Sequence, residues 1–325
     1  IKSRSMSPFR VRAFAIVVAV AHSIAWTASG LSVEPGDVAG GSLRESVDGR
    51  FAIGVGVSHA ILGDPENAAL IKKHFQIITP ENCMKPQGIQ PREGEFNFRD
   101  TDKFMDFAKE NQLEAVGHCL VWAKDDRTSE WMMKDGDQVV SAEKLLQRIH
   151  DHIETVMNRY ADTVTMWDVA NEALADSDGE YLRDSVYTRT TGDRFLVEAF
   201  ELARAKDPDA LLIYNDYNCF KPGKREKTIR LLKSLKDQGA PVDAFGMQGH
   251  FELGDVPLDD LRILFDQLRE LNIKVVVSEL DIDVVTRGKW WAEDGKYRDE
   301  LKSFDPYKEG CPPEILRQEA EEYAG

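Results

Sequence analysis

Seven apolar runs of strand length, each followed by a stretch of helical character, constrain this chain more than any other feature. They are FAIGVGVS (51–58), FQIITPEN (75–82), LEAVGHCLVW (113–122), VTMWDVANE (164–172), LLIYNDYN (211–218), FGMQGHF (245–251) and KVVVSELDID (274–283). Apolar runs alternating with helices imply parallel strands covered on both faces, as in a β/α barrel or a doubly wound sheet. The helices between them are amphipathic. KREKTIRLLKSLKDQG places Ile229, Leu232 and Leu235 on one stripe and ends at Gly239, a stop signal. No Gly-x-Gly-x-x-Gly or phosphate loop follows an early strand, so the nucleotide-binding sheet lacks its support and the α/β barrel is the predicted fold.

In a barrel, chemistry sits at the carboxyl ends of the strands. That rule accounts for WDVANEAL, an apolar run interrupted by one aspartate that ends in Asn171 and Glu172. Asn82, His118, Glu172, Asn218, His250 and Glu279 all fall at or near the ends of apolar runs, so the fold would gather them at one mouth. Paired carboxylates among Asn, Gln, His and Trp suit glycoside hydrolysis, in which one acid protonates the leaving oxygen and the other stabilises or attacks the anomeric carbon. Trp122 and Trp167 are candidates for a flat face against a sugar ring. On spacing alone, the two glutamates also fit a structural ion-pair role.

Composition narrows the partner. The formal net charge is −16 over 325 residues, and the first 29 residues hold four basic residues and no acids, so the rest is more acidic still. Such a surface repels phosphate backbones and anionic lipid, which points away from nucleic acid and membranes. The N-terminus has the pattern of an export signal: Arg10 and Arg12 precede AFAIVVAVA (13–21), then the small residues of WTASG. Nine apolar residues are too few to span a bilayer. We therefore expect a signal region over 1–29 cleaved near Ala28 or Ser29, a linker over 30–46, and a catalytic barrel over 47–325 in a secreted or periplasmic protein. Cys83, Cys119, Cys219 and Cys311 lie far apart and read as isolated, largely buried thiols. His150 and His152 read as part of a solvated helix face. No metal cluster and no cofactor are expected.

Six segments in order, TPENCMKP, GHCLVWA, WDVANEA, YNDYN, MQGHF and SELDI, make the chain resemble glycoside hydrolase family ten, the endo-β-1,4-xylanases, from about 47 to 283. The resemblance implies a (β/α)8 barrel and retaining, two-step hydrolysis of internal β-1,4 bonds in xylan, with no cofactor, by a protein we expect to be monomeric. By motif position Glu172 would be the general acid/base and Glu279 the nucleophile, their environments pushing the two proton affinities apart. Asn171 would bond the sugar 2-hydroxyl. His250 would hold Glu279, with Asp281 behind it, and Gln248 would order the pocket. Asn82, Lys85 and His118 would grip hydroxyls of the sugar on the non-reducing side of the cut, Trp122 would pack against that sugar, and Asn218 would line the cleft.

The chain departs from the family's pattern in three places. HCLVWAKD puts Ala123 and Asp125 where a second His and a Gln are usual, and Pro86 replaces an aromatic residue, which puts subsite preference in doubt. After strand seven the chain ends before the family's eighth strand. This predicts a seven-strand arc with two unpaired edges, as in a fragment of a longer protein. Trp290 and Trp291, beyond strand seven, are candidates for the cleft wall. Two other readings remain: a non-catalytic xylan-binding relative, and a barrel glycosidase acting on a different β-glycan.

Overall fold

The computed structural model describes residues 41–47, 49–284, 307 and 310–324, together with the backbone of 15–20. Trp290 and Trp291 lie outside the described residues. Eight parallel strands form a closed barrel: β1 (Ala15–Val20), β2 (Ala52–Val57), β3 (Ile77–Pro80), β4 (Glu114–Trp122), β5 (Val164–Asn171), β6 (Leu211–Tyr217), β7 (Ala244–Glu252) and β8 (Lys274–Asp283). Among the described residues, the long helices that follow strands β2 to β7 are α1 (Pro65–His74), α2 (Arg99–Glu110), α3 (Ala142–Tyr160), α4 (Arg194–Lys206), α5 (Pro222–Asp237) and α6 (Leu258–Glu270). A further helix, α7 (Pro313–Ala324), reaches the ends of β7 and β8, where Glu322 accepts from Gly254 N and Tyr323 Oη accepts from Ile282 N.

The seven strands read from the sequence are β2 to β8. The eighth place in the ring is filled by β1, from the segment whose pattern reads as a leader. Ile16 to Val20 pair with Ala52 to Gly56, and Ala15 to Val17 pair with Val275 to Val277. Both edges that a seven-strand arc would leave open are therefore paired. No helix among the described residues is long and apolar enough to cross a membrane.

The core has two parts, because strand side chains alternate between the faces of the sheet. Inside the barrel, Ile77, Val116, Met166, Ile213, Ala244 and Val276 form an apolar plug. Outside it, the opposite faces pack under the helices in one large cluster that includes Trp167, Phe104, Phe195, Phe200 and Phe245. The helix ends follow local chemistry. α5 closes with Gly239 at φ +86°, Gly239 N donating to Lys236 O and Ala240 N to Leu235 O, a left-handed cap that glycine adopts without strain. Its buried stripe is Thr228, Leu231, Leu232 and Leu235, with Ile229 on the flank.

One helix reading is corrected. α3 buries Ile149, His152, Ile153 and Val156, so His152 lies on the apolar stripe at i+3 from Ile149 while His150 stays exposed. His152 Nδ1 is 2.7 Å from Gln90 Oε1, and burial pushes its proton affinity down to about 4. Cys119 and Cys219 are buried free thiols and Cys83 a partly buried one.

Candidate active site

Period-two alternation builds the site directly on the plug. Two residues beyond Val116, Met166, Ile213 and Val276 come His118, Asp168, Asn215 and Ser278, and all four line a cleft of about 1530 Å³ at the carboxyl ends of the strands. Strict alternation from Val276 would turn Glu279 outward. The pairing of β7 with β8 slips between Val277 and Glu279, and with that bulge both Ser278 and Glu279 face the cleft. Similar slips occur on β4 between His118 and Val121 and on β5 between Asp168 and Ala170. Gly246 leaves room for this layer, since a Cβ there would stand 2.5 Å from Asn215 Oδ1.

A chain of side-chain amides joins the two glutamates. Gln248 Nε2 donates to Glu172 Oε1 at 3.3 Å and to Asn171 Oδ1 at 3.2 Å. Asn215 Nδ2 donates to Asn171 Oδ1 at 3.1 Å and to Glu279 Oε1 at 3.3 Å, while Ser278 donates to Asn215 Oδ1. His250 stands between carboxylates, with Nε2 3.3 Å from Glu279 Oε2 and Nδ1 2.7 Å from Asp281 Oδ2.

These surroundings separate the two carboxyl groups. For Glu172, burial raises the proton affinity and the negative charges of Asp216 and Glu279 add to it, against the lowering influence of the nearby Trp122 indole and the hydrogen bond from Gln248. Burial acts upward on Glu279 too, but the hydrogen bond from His250 and the positive charges of His118, His250 and Lys85 outweigh it and bring Glu279 down to about 2. Burial disfavours the imidazolium of His250, yet Asp281 and Glu279 raise it to about 9. One site thus holds two carboxyl groups whose proton affinities are pushed in opposite directions, Glu172 up and Glu279 down.

Asn82, Lys85, His118, Trp122, Glu172, Asn218, Gln248, His250 and Glu279, named from the sequence, all line the cleft. Asn171 and Asp281 are 1% and 5% exposed; Asn171 Nδ2 donates to Glu172 Oε1 at 3.4 Å, and Asp281 Oδ2 is 2.7 Å from His250 Nδ1. Lys85 Nζ is 3.2 Å from Asn82 Oδ1 and 5.1 Å from the centre of the Trp122 ring. Trp167 is corrected. It is fully buried on the outer face of β5 against Gly117, where a Cβ would stand 2.3 Å from its ring, and so cannot meet a sugar. Neither Asp168 nor Asn215 was singled out as a site residue. Asp168 holds His118 Nδ1 at 2.7 Å, and Asn215 bonds the amide chain. Their signal is a polar residue inside an otherwise apolar strand.

The departures near Trp122 are structural. Ala123 is fully buried, and Asp125 turns to the helix over 186–191, accepting from Val186 N at 2.6 Å and from Arg189 Nη2 at 2.6 Å. His118, Cys119 and Asp168 bring possible ligand atoms within 4.8 Å of one another. Burial raises the Cys119 thiol well above its ordinary range and Asp168 already holds His118 Nδ1, so this trio is a poor thiolate site.

Opposed carboxyl groups at a barrel mouth are the equipment of a glycosidase, and the comparison with known families decides which. The model of glycosyl hydrolase family 10 matches residues 42–310. The chain belongs to this family. This family-10 glycoside hydrolase is 40% identical over 244 residues to endo-1,4-beta-xylanase B of Paenibacillus barcinonensis, covering 75% of the chain and 72% of that relative. It is 37% identical over 270 residues to an endo-1,4-beta-xylanase/feruloyl esterase of Xylanibacter ruminicola, covering 79% of the chain but only 37% of that longer protein. The solved structure of an endo-1,4-beta-xylanase from Caldicellulosiruptor owensensis superposes with a TM-score of 0.72 at 39% identity, over 76% of this chain and 74% of that one.

Proposed function

We propose that this family-10 hydrolase is an endo-1,4-β-xylanase that works by retaining double displacement. The observation that carries the reading is the amide-linked pair at the barrel mouth, with the proton affinity of Glu172 raised by its surroundings and that of Glu279 lowered. In the first step Glu279 attacks the anomeric carbon while Glu172 gives its proton to the departing glycosidic oxygen, leaving a glycosyl ester on Glu279. In the second step Glu172 takes a proton from water, the oxygen of that water attacks the anomeric carbon, and Glu279 departs as carboxylate. Gln248 and Asn171 orient Glu172, and His250 with Asp281 holds Glu279. The Trp122 face and the Asn82, Lys85 and His118 side chains receive the sugar on the non-reducing side.

Release of new reducing ends from xylan tests this reading. Glu279→Gln is expected to abolish it while the folded state persists by circular dichroism; undiminished activity in that variant would end the proposal. Xylan cleaved more slowly than mixed-linkage glucan or cellulose oligomers would move the substrate to another β-glycan. Retention on insoluble xylan with no cleavage by the wild type would make the protein a binding relative.

We further propose that the chain is exported and acts as a monomer. The basic, apolar and small-residue order of 10–30 supports export. The double pairing of Ala15–Val20 favours a second reading, in which that segment stays as a barrel strand. The N-terminal sequence of protein recovered outside the cell separates the two: a start near Ala28 or Ser29 supports a removed leader, and a start before Ala15 supports a retained strand. Size-exclusion chromatography tests the monomer.

A further inference from the structure

Glu172 has φ +57°, a left-handed conformation that is costly for a side chain of its size unless its surroundings impose it. Successive backbone groups here are held from other elements. Glu172 N donates to Asn215 O at 2.9 Å, and Arg183 Nε donates to Glu172 O at 2.9 Å. Ala173 N donates to the Tyr214 hydroxyl at 3.2 Å, and Leu174 N donates to Asp216 Oδ2 at 3.3 Å. The Tyr214 hydroxyl in turn donates to Asp216 Oδ2 at 2.7 Å. Asp216 is therefore the acceptor on which this turn rests. It is fully buried, and Lys224 from α5, 7% exposed, reaches its Oδ1 at 2.9 Å and Asp176 at 2.7 Å. Removal of one partner from a buried ion pair is costly, because it leaves the other charge buried and uncompensated. The catalytic steps above use neither residue.

We propose that the Asp216–Lys224 pair is a positioning device for Glu172, locking the turn that aims its carboxyl group into the cleft and placing a fixed negative charge beside it. The inference rests on Glu172 being the acid/base. The titratable groups that line the cleft with Glu172 include Glu279 on β8, His250 on β7, His118 on β4, Asp168 on β5, Lys85 after β3, and Arg183 and Asp176 on the loop after β5, with Asp216 on β6 paired to Lys224. After burial, the charge of Asp216 is the largest cause raising the proton affinity of Glu172, ahead of Glu279. Lys224 stabilises the Asp216 anion. A Glu172 that holds its proton longer keeps the first step running to higher pH.

The test is the pH dependence of kcat/KM on a xylooligosaccharide for wild type, Asp216→Asn, Tyr214→Phe and Glu172→Gln. Asp216→Asn is expected to move the alkaline limb down by about half to one pH unit and to leave the acid limb in place. An unmoved alkaline limb in a folded Asp216→Asn protein overturns the inference. Tyr214→Phe removes only the hydroxyl between Asp216 and Ala173 N. It keeps the charge, so it is expected to keep the limb and lose several-fold in rate on the oligosaccharide. It should lose little on an aryl xylobioside whose leaving group needs no proton. Equal losses on both substrates, or none on either, overturn the positioning role even where Asp216→Asn fails to fold. Glu172→Gln separates the two claims: if it leaves the alkaline limb intact, the acid/base reading itself has failed.

Discussion

Trp122 and Trp167 sit on neighbouring strands, and their surroundings assign them different work. Trp167 is fully buried and packed onto Gly117, whereas Trp122 lines the cleft with Lys85 and Arg127 over its ring. Trp167→Ala is expected to cost about 3–5 kcal/mol of stability, read as a lowered urea midpoint, because it empties a rigid site between sheet and helices. Trp122→Ala is expected to keep its midpoint near that of wild type and to raise KM for xylooligosaccharides about tenfold, the loss of one stacking face. Reversed effects would show that the two faces of the sheet have been misassigned. Apolar content marked both residues in the sequence. The side of the strand on which each falls depends on parity counted from the plug, and bulges alter that count.

At the scale of elements, the loop after β4 is tied to the helix over 186–191 by Asp125, which accepts from Val186 N in the first turn of that helix and pairs with Arg189. An acceptor at a helix start is worth about 1 kcal/mol. Asp125→Ala should therefore lower stability by about 1–2 kcal/mol in urea unfolding and leave the pH dependence of catalysis unchanged. A shifted pH profile would instead place Asp125 among the groups that act on the cleft. In the sequence this residue counts as a departure that puts subsite preference in doubt, because a motif position reports which residue type is usual there. Its actual partner lies 61 positions away, and only folding brings the two together. The strands and the long helices were legible because apolar periodicity is local. His152 was misread because a polar residue on an apolar stripe needs its one distant acceptor, Gln90, before burial becomes tolerable.

For the whole molecule, protonation links the site to stability. His250 is raised from 6.5 to about 9 in the fold, so its contribution is complete below about pH 6.5 and is lost as pH rises through about 9. Glu279 is depressed from 4.5 to about 2, so its contribution is present above about pH 4.5 and is lost as pH falls through about 2. The stability difference between wild type and His250→Asn should be constant from pH 5 to 6.5 and shrink toward pH 9 and beyond. A difference that grows with pH would reverse the assignment of the imidazolium. The sequence by itself determined the alternation of strands and helices, the mouth at which their carboxyl ends meet, and the two glutamates placed there, since each depends on short-range pattern and on one rule of barrel geometry. Tertiary structure alone decided that Ala15–Val20 closes the ring, that Glu279 faces inward through a bulge, and that Asp216 and Lys224 sit behind Glu172. Those outcomes depend on strand register and on unlike charges buried together, and neither is encoded in any single segment.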